Sequence, residues 1–168
     1  NKFQSTAFEM YRLKLTEEES RRAVNSYREA NSAVPVFWKS LERAAITAIE
    51  EGVVVTINMC KFFCKDGFLW IELPSGRRLA YRDPQISWRQ SEWGPQKTIE
   101  FYAVNSKTKK WSLERCWGGV LVENVVQATA RDLMVEAILR LEAKGYRLLL
   151  TVHDEIICEA RKGFGTIE

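Results

Sequence analysis

The chain has little of what metal and redox sites are usually built from. Its 168 residues include one histidine, His153, and four cysteines, Cys60, Cys64, Cys116 and Cys158. A single histidine excludes any two-His zinc site. Four scattered cysteines are too few for a disulfide framework in a chain this long. Cys60 and Cys64, in "CKFFCKDG", stand at a spacing that zinc ligands use, but Cys116 and Cys158 offer no comparable second pair. Reduced structural thiols are therefore expected. There is also no Gly-x-Ser-x-Gly turn and no cysteine in a recognisable nucleophile setting, so a Ser or Cys triad around His153 finds no support.

Long apolar runs are missing too. No stretch approaches the roughly 18 apolar residues of a membrane-spanning helix, and the opening "NKFQSTAFEM" holds neither a signal-peptide core nor an initiating Met. These absences point to a cytosolic chain with no membrane partner, and to a piece of a longer one. Neither sign of charge dominates, since 25 Lys and Arg face 22 Asp and Glu for a net charge of +3. That balance permits a polyanionic partner without arguing for one. With 46% hydrophobic and 28% charged residues, the composition excludes disorder and allows a real core within one domain or part of one. Internal repeats, low-complexity tracts and convincing linkers are absent.

What is present begins with helices. Residues 1 to 13 carry weak helical periodicity. In "LTEEES", Thr16 and Glu19 form a capping box that opens a helix to about Ala30. "NSAVPVFWKSLERAAITAIEEG" restarts the pattern: Ser32 can cap, Pro35 fits the first turn, and Phe37, Leu41, Ala44, Ala45 and Ala48 share a face before Gly52 stops it. The period then shifts toward two. "KFFCKDGFLWIELPSGRRLAYRDP" predicts a hairpin over Asp66-Gly67 and a further strand after Ser75-Gly76, and "TIEFYAVNSKTKKWSLERCW" a hairpin turned at Ser106 to Lys109. Between them the polar and aromatic "ISWRQSEWGPQK" reads as a loop.

From Gly119 to Lys144 runs the longest helical pattern, with Val126, Ala130, Leu133, Met134, Ala137, Ile138 and Leu141 on one stripe and Gly145 as the C-terminal stop. "LLLTVHDEIICE" follows, two short strands expected to be buried, with His153, Asp154 and Glu155 at the tip between them. The expectation is an α+β fold, a small antiparallel sheet with the long helix packed against this last hairpin.

The tip is the place to look for chemistry. An unpaired carboxylate is costly to bury, so Asp154 and Glu155 are expected to point into a site. Adjacent residues on a strand face opposite sides, and only a tight turn aims both at one cation. Hard oxygen ligands favour Mg²⁺ or Mn²⁺, held together with substrate phosphates. The plainer reading is a pair of polar turn residues. Gln127 and Arg131 lie one turn apart on the margin of the helix stripe, where they reach over the tip into a cleft or simply face solvent. A glutamine there has the chemistry to bond minor-groove acceptors in a sequence-tolerant way. Arg77, Arg78 and Arg82 in "GRRLAYRD", with Lys107, Lys109 and Lys110 in "SKTKK", are candidate phosphate contacts. Basic hairpins are also common as soluble sheet edges.

"ENVVQATARDLMVEAILRLEAKGYRLLLTVHDEIICEA" resembles the palm segment of family A DNA polymerases, the family of bacterial DNA polymerase I and many phage replicative enzymes. There a helix bearing Q-x-x-A-x-D-L leads to a strand and a V-H-D-E motif. "LPSGRRLAYRDP" is similar to the family's G-R-R strand, and the stretch from Glu100 to Gln127 is most like phage and prophage members. The resemblance implies a template-directed polymerase in a bacterial or phage-infected cell, working on primer-template DNA and deoxynucleoside triphosphates with two Mg²⁺ ions. It implies that Asp154 is a metal ligand, Glu155 an accessory acid, His153 a contact to the primer terminus and Gln127 a minor-groove contact. It also divides the chain into residues 1–52, a helical segment following the nucleotide-binding helix of the fingers, and 53–168, a partial palm.

Two positions depart from the family pattern. Glu123 stands where an Asn is usual, with Asn124 beside it, and Gly118-Gly119 replaces an Arg early on the helix. The family's first catalytic Asp, in a D-Y-S-x-I-E-like strand, has no match here, nor does the fingers helix with its Arg, Lys and Tyr-Gly. The expectation is that the remainder of a polymerase chain supplies both and that this chain alone is inactive. The competing expectations are a non-catalytic module that binds primer-template or completes an enzyme, and a metal-dependent phosphodiesterase on the same hairpin.

Overall fold

The computed structural model describes residues 2–91 and 94–164. Three helices open it, α1 (Lys2–Tyr11), α2 (Glu17–Ala30) and α3 (Ala33–Glu51). The start of α2 follows from its sequence: the Thr16 side chain accepts from the Glu19 backbone at 3.2 Å while Glu19 reaches back to the Thr16 N–H at 2.8 Å. Ser32 does not cap α3. It already has helical backbone angles, which turn its hydroxyl away from the first-turn N–H groups, and no side-chain cap forms. Gly52 ends α3 in the left-handed region at φ 66°. The expected face holds: Leu41, Ala44, Ala45 and Ala48 are buried and Phe37 packs against them.

Six strands follow as one antiparallel meander in sequence order: β1 (Val55–Ile57), β2 (Cys60–Lys65), β3 (Phe68–Glu72), β4 (Arg78–Ser91), β5 (Gly94–Val104) and β6 (Trp111–Cys116). Alternate residues, among them Phe62, Leu69, Ile71, Tyr81 and Ile99, are buried in one core with α3. The expected turns at Asp66-Gly67, Ser75-Gly76 and Ser106 to Lys109 are all present. The expected loop from Ile86 to Lys97 is instead paired strand, with residues 86–91 of β4 against 94–99 of β5; Glu92 and Trp93 lie outside the described residues. The polar composition of this stretch misleads because paired strands projecting past the core need no apolar face. A register shift between Arg82 and Gln85, with Asp83 at φ 45°, accommodates Pro84 within the strand.

Helix α4 (Gly118–Ala143) is held at its beginning and runs outward. Gly118, Leu121 and Val125 are buried, and a Cβ on Gly118 would overlap the Trp38 carbonyl oxygen and lie 2.6 Å from its carbon. The same crossing caps the helix, since Glu42 on α3 accepts from the Gly118 N–H at 3.2 Å. Past Val125 a polar latch takes over. Asp132 accepts from the Ser75 hydroxyl and from Arg77 Nε, each at 2.6 Å, and Arg77 also donates to the Ala128 carbonyl at 2.7 Å. At the far end Gly145 N–H bonds Glu142 O and Tyr146 N–H bonds Leu141 O, a Schellman closure.

The last elements, β7 (Arg147–Val152) and β8 (Glu155–Glu159), pair only with each other. Leu148, Thr151, Ile156 and Cys158 are half-buried on the side of α4, while Leu150, Val152 and Ile157 are exposed on the other side. This corrects the expectation of two buried strands: a lone hairpin has only one helix to cover it. The stripe on α4 is corrected likewise, because Met134, Ala137, Ile138 and Leu141 do not continue as one buried face with Val126 and Leu133, which are 54% and 63% exposed.

Two tests follow from these contacts. Gly118→Ala is expected to destabilise the chain by about 3 kcal/mol, since a fixed backbone carbonyl occupies the space; equilibrium denaturation measures it, and an unchanged midpoint would contradict the close crossing. The Ser75 hydroxyl, and after it the Arg77 guanidinium, hold the Asp132 carboxyl below its ordinary value of 3.8. A depressed folded-state value means that the latch contributes fully above the unfolded value and is lost as pH falls through the folded one. Asp132→Asn is expected to lower stability at about pH 7 and to narrow the stability gap between about pH 7 and pH 3. Denaturation curves at both pH values give the comparison, and parallel losses would contradict a charged latch.

Candidate functional site

The tip of β7–β8 and the near side of α4 enclose a cleft of about 680 Å³ lined by Gln127, Ala130, Arg131, Met134, His153 and Asp154 among others. Four residues singled out from the sequence therefore come together, from two elements that are neighbours in the chain. The two-residue turn between Val152 and Glu155 makes this happen, because it carries His153 and Asp154 off the strands and over the helix. His153 takes φ 51°, a region that non-glycine residues seldom adopt but that histidine visits more than most. A residue kept in that conformation at a cleft is a candidate for function.

Glu155 is not brought into the cleft. It pairs with Val152 at the start of β8 and shares that residue's exposed face, as directly opposed strand positions must. Asp154 is the only carboxylate among the described residues lining the cleft. Neither Asp154 nor Glu155 has an ion pair or side-chain hydrogen bond among the described residues. No group of three or more His, Cys, Asp or Glu side chains is placed to hold a metal ion among the described residues. An unengaged carboxylate suits a hard cation, with water and phosphate oxygens completing the coordination; one carboxylate does not organise two ions.

The cations divide into those already committed and those that are not. Arg77 belongs to the Asp132 latch, and Arg78 pairs with Glu72 at 2.8 Å. Lys109 sits at φ 58° on the exposed β5–β6 turn, away from the cleft-lining residues. Arg131 lies against the Met134 sulfur at 3.3 Å, and Gln127 donates to Glu123 at 3.4 Å, so both rest on their own helix and are free to extend. Asn124 is tied down, donating to the buried Tyr81 hydroxyl at 2.9 Å. Burial pushes the Tyr81 hydroxyl up to about 12 and the Cys116 thiol up to about 12, so neither ionises at neutral pH. Cys60 and Cys64 are four strand residues apart, roughly 13 Å, too far to share a metal ion, and all four cysteines are free thiols.

Sequence reasoning does not find the latch. Asp132 falls inside the Q-x-x-A-x-D-L pattern and Ser75 inside "LPSGRR", so the signal is a carboxylate and a basic turn far apart in the chain, with nothing local to join them.

The turn conformation is open to a simple check. Gly and Ala both lack the imidazole, but only Gly accepts positive φ freely. His153→Gly is expected to be more stable than His153→Ala by about 1 kcal/mol, measured by chemical denaturation. Equal stabilities would contradict the left-handed turn.

No described helix is long and apolar enough to cross a membrane. No protein-family model matches the chain, and no solved structure does. Among curated proteins the chain is similar to a DNA polymerase of Bacillus phage SP02, 37% identical over 150 residues. The match covers 89% of this chain and 23% of the phage protein. This chain is thus similar, over most of its length, to about a quarter of a phage DNA polymerase.

Proposed function

We propose that the chain is a section of a template-directed DNA polymerase of the family A type, and that the tip of β7–β8 with the facing side of α4 forms one wall of its nucleotidyl-transfer site. The observation that carries this reading is the meeting of His153 and Asp154 with Gln127 and Arg131 at one cleft. Similarity to a polymerase supports it. In the reaction the primer 3′-oxygen bonds to the α-phosphorus of a deoxynucleoside triphosphate and pyrophosphate leaves.

Asp154 is this chain's ligand for the metal, its oxygens unengaged at a solvent-facing tip. Mg²⁺, two ions in the complete enzyme, supplies charge stabilisation to the attacking and leaving oxygens. A second carboxylate comes from the remainder of the polymerase chain. Gln127 donates its amide N–H to minor-groove acceptors of the nascent pair, exchanging its weak bond to Glu123 for them. His153 positions the primer terminus beside Asp154, and Arg131 gives the cleft a cation for phosphate oxygens. Glu155, one residue from the metal ligand, adds negative charge near the site without lining it. Phosphate contact outside the cleft falls first to Lys109. Arg77 and Arg78 contact DNA only by sharing themselves with Asp132 and Glu72.

The exposed side of the hairpin fits the same reading. Leu150 and Leu149 are 50% and 53% exposed, an apolar face expected to be covered by the remainder of the polymerase chain. Residues 1–52 follow the fingers and 53–168 contribute to the palm.

Asp154→Ala, placed in a polymerase that contains this chain, is expected to cut the single-turnover extension rate by several orders of magnitude and to leave primer-template affinity unchanged, because a metal ligand acts mainly in the transition state. Rapid-quench extension beside equilibrium DNA binding measures both. A variant that extends at the parental rate sinks the assignment.

A further inference from the structure

The side of the six-stranded sheet that faces away from α3 carries a pattern the cleft does not use. Because the core takes alternate residues, the intervening ones face outward. Their registers line up across five strands: Lys65 opposes Phe68, Phe68 opposes Arg82, Arg82 opposes Tyr102, and Tyr102 opposes Leu113. The row therefore alternates cation and ring as it crosses the sheet, over about 19 Å at the usual strand spacing. In the neighbouring row, on one side of it, Phe63 opposes Trp70 at one end and Val104 opposes Trp111 at the other. Trp111 is 62% exposed and Tyr102 40%.

The rings and cations are coupled. The Arg82 guanidinium lies 5.0 Å from the Phe68 ring centroid and that of Arg78 lies 5.3 Å from Phe63. Phe68 and Trp70 sit 5.3 Å apart. Arg82 also pairs with Asp83 at 3.0 Å, and these two are equally exposed, whereas the carboxylates that pair with the other cations of this face lie lower. Side-chain exposure is 17% for Glu72 against 54% and 52% for Lys61 and Arg78, and 11% for Glu100 against 54% for Arg115. Lys65 has no carboxylate partner among the described residues. With Lys61, Lys65, Arg78, Arg82 and Arg115 against Glu72, Asp83 and Glu100, the face keeps an excess of positive charge and is set with flat groups.

We propose that this face is a binding platform for single-stranded DNA, with phosphates on the outward cations and bases stacked on the Phe68–Arg82 couple and on Tyr102. Charge complementarity selects a polyanion, and rings on an open sheet select unpaired bases, whose faces a duplex hides. A duplex-reading surface would place donors in a groove-sized ridge; a protein-binding surface would be depleted of charge at its centre. Here Arg82 is the centre.

The test uses the 168-residue chain without metal ion or nucleotide, so its failure leaves the reading of the cleft standing. Fluorescence anisotropy compares a labelled oligothymidine, the same length made abasic, and a blunt duplex. The chain is expected to bind oligothymidine most tightly. Phe68→Ala with Tyr102→Ala is expected to weaken that binding by about tenfold or more for each ring and to erase the preference over the abasic strand. Lys65→Gln with Arg82→Gln is expected to lower the salt slope by about 0.7 for each phosphate left without its cation, while keeping the preference for bases. All substituted positions lie on the open face, and circular dichroism checks each variant's fold. Equal affinity for the abasic strand, or full affinity in the ring variant, overturns the proposal. So does failure to bind oligothymidine at low salt, the result expected if a protein segment covers this face.

Discussion

The approach of Gly118 to the backbone of Trp38 is the constraint on which the rest of the site depends. Helix α4 is buried only near its start, at Gly118, Leu121 and Val125, yet it carries the cleft on its outer half. Its direction is set where it crosses α3, and any side chain at Gly118 would overlap the Trp38 carbonyl. Glu42 completes the crossing by accepting from the Gly118 N–H. A helix held at one end is a lever, and an error of a few degrees at Gly118 becomes a displacement of ångströms at Gln127 and Arg131. The latch from Ser75 and Arg77 to Asp132 restrains that lever near its middle.

The hairpin inherits this placement. Gly145 closes α4 with a left-handed turn at φ 86° and sends β7 back along it, so that only one side of the hairpin meets the helix. Its tip then overhangs the residues one to two turns either side of Arg131. The arrangement explains a contrast in the chain. The polar tip faces an open cleft while apolar Leu150, Val152 and Ile157 face solvent on the opposite side. Apolar side chains stay exposed on that side of the hairpin, whereas the core between α3 and the six-stranded sheet is closed.

Much of this is legible from residues. Thr16 with Glu19, Asp66-Gly67, Gly52 and Gly145 are local signals whose physics is local, and each element they bound is present. The gathering of Gln127, Arg131, His153 and Asp154 follows from a helix periodicity and a short turn. Less legible are features that depend on partners distant in sequence. The paired strand within Ile86 to Lys97 reads as a loop because its stability comes from cross-strand pairing rather than from an apolar face. Arg77 reads as a phosphate contact until Asp132 is seen beside it. Glu155 joins Asp154 in the sequence but separates from it in space, since β8 begins at Glu155 and turns its side chain away from the helix. Ser32 reads as a cap, and its own backbone angles prevent it.

The central claim is that the tip of β7–β8 offers a metal-binding carboxylate to a cleft walled by α4. Paramagnetic broadening by Mn²⁺ in the ¹⁵N-labelled chain tests it most directly, because it reports where a weakly held ion spends its time. The amides of His153, Asp154 and Glu155 are expected to broaden first, followed by those of Gln127 and Arg131 across the cleft, and Asp154→Asn is expected to remove the effect at all five. Broadening centred on Glu17 to Glu19 or on Glu72, with the hairpin tip untouched, would contradict the account.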